Sequence, residues 1–189
     1  SYQDGVDHLL RALRHLESDL GYTDWFCVLI GPADDLNALK AMAGELGLSH
    51  RVWFTGFVSE EDLLRYLSTA DICVDPDPAN PLNNISTMIK MMEYLTFGKP
   101  VVAYDLTEHR VTAGEAALYA RPNDELDMAR QIARLIDEPA LRMELGAVGR
   151  ARVEQQLAWK YQKERLLAVY RTLTQRNGVA SRRRNPDTI

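Results

Sequence analysis

The stretch Trp25-Phe26-Cys27-Val28-Leu29-Ile30-Gly31-Pro32, with Leu36, Leu39, Met42, Ala43 and Leu46 following at helical spacing, decides the fold class of this chain. An apolar run without polar alternation, closed by Gly-Pro, reads as a strand buried on both faces, as strands of parallel sheets are. The residues after it keep one apolar side and stop at Gly47, which predicts an amphipathic helix. Val52-Trp53-Phe54-Thr55, closed by Gly56, repeats the strand pattern. Strand, helix and strand in this order predict a βα unit and a parallel pairing.

Outward from this unit the alternation continues. Upstream, Val6, Leu9, Leu10, Leu13 and Leu16 predict a helix over 5–20, stopped by Gly21. Downstream, Ser59-Glu60-Glu61-Asp62 opens a helix, with Ser59 as N-cap and Asp62 at the capping-box position. Ile72-Cys73-Val74 is the next strand, and a turn-rich loop runs from Asp75 through Pro76, Asp77, Pro78 and Asn80 to Pro81. A helix is predicted over 86–97, a strand over 101–104, a short strand over 117–119 and a helix over 126–136. Pro139 starts a further helical stretch that reaches Thr174 with a bend near 157–159. The pattern predicts an α/β, Rossmann-like parallel sheet with helices on both faces. One domain is expected over 1–176. The residues 177–189 lose periodicity and read as a disordered tail, with Arg182-Arg183-Arg184 as an alternative contact for acidic lipid.

The net charge of −5 and pI near 5.4 exclude general nucleic-acid binding as the default function. No apolar run approaches the roughly 20 residues that span a bilayer, and the first residues are polar, without a signal peptide. Cys27 and Cys73 lie inside apolar runs without metal-ligand spacing, so they read as buried reduced thiols, and no metal is expected. The compartment that fits is the cytoplasm or the inner face of its membrane, where the full-length protein would associate peripherally.

Ligands of open parallel sheets sit beyond the carboxyl ends of the strands. That directs attention to the loops at 31–35, 56–59, 75–87 and 105–114. The third enters a helix near Ser86 and Thr87, where unpaired N–H groups, two hydroxyls and Lys90 one turn on would suit a phosphate. The plainer reading is Ser86 as an N-cap and Lys90 as a solvated lysine. Glu93 shares a helix face with Lys90. The rest of that helix is apolar (Met88, Ile89, Met91, Met92, Tyr94, Leu95, Phe97), so the pair should face a cleft, where the carboxylate would accept ribose hydroxyls.

Glu93-Tyr94-Leu95-Thr96-Phe97-Gly98-Lys99-Pro100-Val101-Val102-Ala103 resembles the E-A-M-A-x-G-x-P-V-V-A signature of group 1 (family 4) retaining glycosyltransferases. In the same order, the strand ending at Gly31, the run from Leu46 to Val58, the run from Tyr66 to Pro76 and the stretch from Trp159 to Tyr170 resemble that family's other motifs. Asn80-Pro81-Leu82-Asn83-Asn84-Ile85-Ser86-Thr87 through Tyr94, with Asp105 through Tyr119, is similar to a subgroup of bacterial surface-polysaccharide and cell-envelope assembly. The resemblance implies the C-terminal, donor-binding half of a GT-B fold. It would bind a nucleotide-diphosphate sugar without a cofactor and work beside its own N-terminal acceptor domain. The base would lie on Gly56 and Val58 near Gly31, the ribose on Glu93, and the diphosphate on N–H groups near Ile85 and Ser86. Asn84, Thr87, Lys90, Glu108 and Arg110 would complete the donor site. His109 is read as an ordinary loop histidine in preference to a proton donor, and no residue is assigned as catalytic.

Two departures qualify the resemblance. Ile85 stands where the first glutamate of the family's E-x7-E belongs. Asp4-Gly5 stands where Lys-Gly is commonest, and the strand that normally opens this domain, at the centre of the sheet, is not among these residues. The alternatives are a non-catalytic nucleotide-sugar-binding or assembly module, and one half of a sugar-nucleotide epimerase. A dinucleotide dehydrogenase fits least, because no G-x-G-x-x-G follows a strand.

Overall fold

A computed structural model describes residues 2–33 and 35–181, with side chains described for 3–33 and 35–174. It divides into two units, 1–152 and 153–189.

Among the described residues of the first unit, five strands and seven α-helices follow one another, all but α5 expected from the sequence: α1 (Val6–Ser18), β1 (Cys27–Ile30), α2 (Leu36–Glu45), β2 (Val52–Gly56), α3 (Glu60–Thr69), β3 (Cys73–Asp75), α4 (Ile89–Thr96), β4 (Val101–Tyr104), α5 (Thr107–Ala113), β5 (Ala117–Ala120), α6 (Glu125–Asp137) and α7 (Pro139–Arg152). All strand pairings are parallel: Cys27 opposite Val52, Cys73 opposite Val101, and Val101 opposite Ala117. The strands form two sheets, β1-β2 and β3-β4-β5, and no ladder joins β1 to β3. β1 is consequently half-buried along its whole length, not buried on both faces as expected. β4, flanked on both sides, is fully buried.

Helices cover both faces of the sheets. α1 packs on α6 and α2, and α6 lies on β4 and β5. Leu9, Leu10, Leu13 and Leu16 of α1 enter one core with Val102, Tyr104, Met128, Ile132 and Leu135, each contributing roughly 2 kcal/mol of burial. On the opposite face α4 meets β3, β4, α5 and α7. Two glycines permit these approaches. A Cβ on Gly5 would stand 1.9 Å from the Pro76 carbonyl oxygen, and one on Gly146 would stand 2.1 Å from that of Gly98.

The predicted boundaries shift at functional places. Ser59 caps α3, accepting from the Asp62 amide at 3.1 Å. The helix expected from Ser86 begins instead at Ile89, after a 3-10 turn at Asn83–Ile85. The expected loop at 105–114 contains helix α5. In the second unit, a π-helical segment at Val153–Leu157 leads into α8 (Trp159–Ser181), which matches the expected bend. The helix runs past the expected end of the domain at 176; the rest of the tail, with Arg182-Arg183-Arg184, lies outside the described residues. No helix among the described residues is long and apolar enough to cross a membrane.

Candidate functional site

The carboxyl ends of β1 to β4 gather most of the residues singled out in the sequence. Gly31 and Gly56 meet directly: the Gly31 amide donates to the Gly56 carbonyl at 2.9 Å, and both glycines have positive φ. Phe57 beyond them is almost wholly solvent-exposed, and Val58 is half-buried.

Asparagines organise the long loop after β3. Asn80 Oδ1 accepts from the Asn83 amide at 2.8 Å, and Asn83, itself buried, donates to the carbonyls of Pro78 and Gln3. The Asn84 side chain accepts from the Thr107 amide at 3.0 Å, capping the start of α5 from another segment. Ser86 Oγ donates to the Leu82 carbonyl at 2.7 Å, so this hydroxyl is not an N-cap. The amides of Ile85 and Ser86 donate to Leu82 and Asn83 within the 3-10 turn. The backbone donors left facing outward therefore begin at Thr87, two residues further on. Thr87 Oγ1 donates to Glu108 at 2.8 Å, which ties the entry of α4 to α5. Ile85, Ile89 and Val111 are exposed around this point, so α4 is less buried at its start than its composition suggested.

Lys90 departs most from the sequence reading. It is no solvated lysine: its ammonium pairs closely with Asp77 and lies 3.4 Å from Asp75 Oδ1 and 3.7 Å from Asp4. Burial works against this charge, but the carboxylates of Asp75 and Asp77 outweigh it and raise the Lys90 pKa. Asp77 is pushed up to about 7, first by burial and then by the charge of Asp75. Asp75 ends β3 in register with Ala103, and both acids are buried. Neither was assigned a role from the sequence. The signal was an acid continuing an apolar strand directly into Asp-Pro-Asp-Pro.

His109 is not a loop residue. It sits in α5 at 1% exposure, with Nδ1 donating to the Tyr104 carbonyl at 2.8 Å and Nε2 3.7 Å from Asp75 Oδ2. One ligand atom from each of Asp75, Asp77 and His109 lies within 4.8 Å of the others. Arg110, one residue on, points outward. Its guanidinium forms a two-bond pair with Asp105 at 2.6 and 2.8 Å and lies 4.1 Å over the Tyr119 ring. Glu93 is exposed, and its carboxylate has no hydrogen bond or ion pair among the described residues. Cys27 and Cys73 are free thiols whose pKa values burial pushes up to about 12.

Comparison with known proteins gives the family and the fold. The sequence model of the family described as "Glycosyl transferases group 1" matches residues 1–138. The chain is 29% identical over 180 residues to the lipopolysaccharide core biosynthesis glycosyltransferase LpsD of Rhizobium meliloti, covering 94% of this chain and 47% of LpsD. It is 26% identical to the 2-deoxystreptamine glucosyltransferase of Streptomyces kanamyceticus, covering 74% of this chain and 35% of that one. The chain thus spans less than half the length of these curated relatives. Among solved structures, sucrose-phosphate synthase from Thermosynechococcus elongatus superposes with a TM-score of 0.78 at 25% identity, over 92% of this chain and 43% of that one. Anabaena HepE, crystallised with UDP, shares the fold at 20% identity with a TM-score of 0.79, over 91% of this chain and 46% of HepE.

Proposed function

Because the chain belongs to the group 1 glycosyl transferases, we propose that it is the donor-binding domain of a retaining glycosyltransferase, holding a nucleotide-diphosphate sugar at the carboxyl ends of β1 to β4. The acceptor would be a polysaccharide, a glycolipid or a related molecule, handled by a separate N-terminal domain near the cytoplasmic membrane face.

The observation that carries this reading is the position of Lys90. The resemblance leaves Asp4 where the family commonly has a lysine, and the Lys90 ammonium stands 3.7 Å from that Asp4 carboxylate. Lys90 would thus supply, from another place in the sequence, the cation that Asp4 does not. The Lys90 side chain is about a quarter exposed, and a diphosphate would approach it while Asp75 and Asp77 hold it. The amides beginning at Thr87 and the outward guanidinium of Arg110 add donors on the same side. Glu93, exposed and unpaired, is placed to accept ribose hydroxyls, and the Gly31–Gly56 contact offers a narrow floor for the base. In the reaction these groups would stabilise charge gathering on the leaving diphosphate as the glycosidic bond breaks.

Calorimetric titration of the full-length protein with UDP, GDP and ADP tests the reading. One nucleotide should bind, and Glu93→Ala or Lys90→Ala should weaken it by at least tenfold. Binding of none of the three would sink the proposal. The alternative, a non-catalytic nucleotide-sugar-binding or assembly module, draws on two facts: Ile85 supplies no carboxylate, and Arg110 is already paired with Asp105. Turnover unchanged in both variants would select that alternative.

A further inference from the structure

We propose that Asp75, Asp77 and His109 form a binding site for one divalent transition-metal ion, of the zinc or manganese class, beside Lys90 at the start of α4. Two buried carboxyl groups and a buried imidazole converge here, with one ammonium at the edge of the cluster. Asp75 divides its oxygens between two neighbours. Oδ1 lies 3.4 Å from Lys90, and Oδ2 lies 3.7 Å from His109 Nε2.

The imidazole supplies an independent indication. His109 Nδ1 points at the Tyr104 carbonyl, which only accepts, so Nδ1 carries the proton. In the neutral ring Nε2 then presents a lone pair, and at 1% exposure it is aimed into the cluster. His109 Nε2 and both oxygens of Asp75 have no hydrogen-bonding partner among the described residues, which a buried polar group rarely tolerates. An imidazole held by Nδ1–H to a backbone carbonyl, with Nε2 toward carboxylates, is the orientation that metal-bound histidines adopt. The three ligand atoms already lie within 4.8 Å of one another, and contraction of about 1 Å would bring them to bonding distance of an ion with metal–ligand bonds near 2.1 Å. Two carboxylates and one imidazole suit zinc or manganese better than magnesium or calcium, which favour all-oxygen sets. The ion would lie on the Oδ2 side of Asp75 and Lys90 on the Oδ1 side, so the ammonium need not leave. This site stands on its own residues and does not depend on the donor reading.

The test takes the full-length protein, strips it with chelator, and titrates it with zinc chloride or manganese chloride by calorimetry. One equivalent should bind with micromolar or tighter affinity and raise the melting temperature. Asp75→Asn and His109→Asn should each weaken binding at least tenfold, with circular dichroism confirming that the variants fold. If either variant fails to fold, cobalt substitution in the parent protein decides: a chelator-reversible visible band and an anomalous peak between Asp75 and His109 support the site. No stoichiometric binding, binding unchanged in the folded variants, or an anomalous peak elsewhere would overturn it. Unchanged nucleotide binding alongside lost metal binding in His109→Asn would separate this site from the donor site.

Discussion

At the residue scale, charge pairing decides what each functional side chain can do. Lys90 and Arg110 read alike in sequence, as cations beside strand ends. In the fold one is enclosed by acids and the other lies on the surface against Asp105. The hydrogen bonds from Arg110 come first among the causes that hold Asp105 below its ordinary carboxylate pKa. A carboxylate with a lowered folded pKa stabilises above its unfolded value, near 4, and loses that contribution as pH falls through the folded value. Both partners are more than a third exposed, so the pair should be worth only about 0.5 kcal/mol. Asp105→Asn should therefore lower stability slightly at pH 7 and progressively less as the pH falls below about 4, as urea denaturation along that series would read. The same substitution should strengthen nucleotide binding by releasing Arg110, if the guanidinium meets the diphosphate. The thiols give a second residue-scale expectation. With both pKa values near 12, Cys27 and Cys73 should resist a disulfide reagent at pH 8 and react rapidly once the chain is unfolded in urea.

At the element scale, the start of α5 and the start of α1 depend on partners far away in sequence. Asn84 caps α5 across 23 positions. Asn84→Ala should cost about 1 kcal/mol and loosen the Asp105–Arg110 segment, visible as faster amide exchange in α5. Gly5 begins α1 at φ +59° with its Cα against the Pro76 carbonyl. Gly5→Ala should cost about 3 kcal/mol or more, because strain and a backbone clash add; a melting curve within 2 °C of the parent protein, roughly the shift of under 1 kcal/mol, would refute the close approach. These elements were legible in unequal measure. The five strands and most helices follow from apolar runs and periodicity. The later start of α4 and the existence of α5 did not, since Ser86, Thr87 and the run from Thr107 to Ala113 carry weak propensities. Contacts from the Asn83–Ile85 turn and from the Asn84 side chain settle both.

At the scale of the whole molecule, the split of one parallel arrangement into β1-β2 and β3-β4-β5 is the largest feature. Among the described residues β1 and β3 each pair on one side only, and β1 is half-buried along its length. α1 starts at the loop after β3 and packs on α2, which lies between β1 and β2 in the chain, and on α6, which covers β4 and β5, so it ties both sheets together.

The chain's own sequence determined the α/β class, the order of its strands and of the helices other than α5, and the membership of its family. Those properties are written in local pattern: hydrophobic period, glycine stops and motif spacing act over a few neighbouring residues. Only the tertiary structure decided that Lys90 is held by Asp77 and Asp75, that the amides of Ile85 and Ser86 are already engaged, and that His109 is buried against Asp75. Charge compensation, burial and hydrogen-bond partnership arise between segments far apart in the chain, and no local pattern records them.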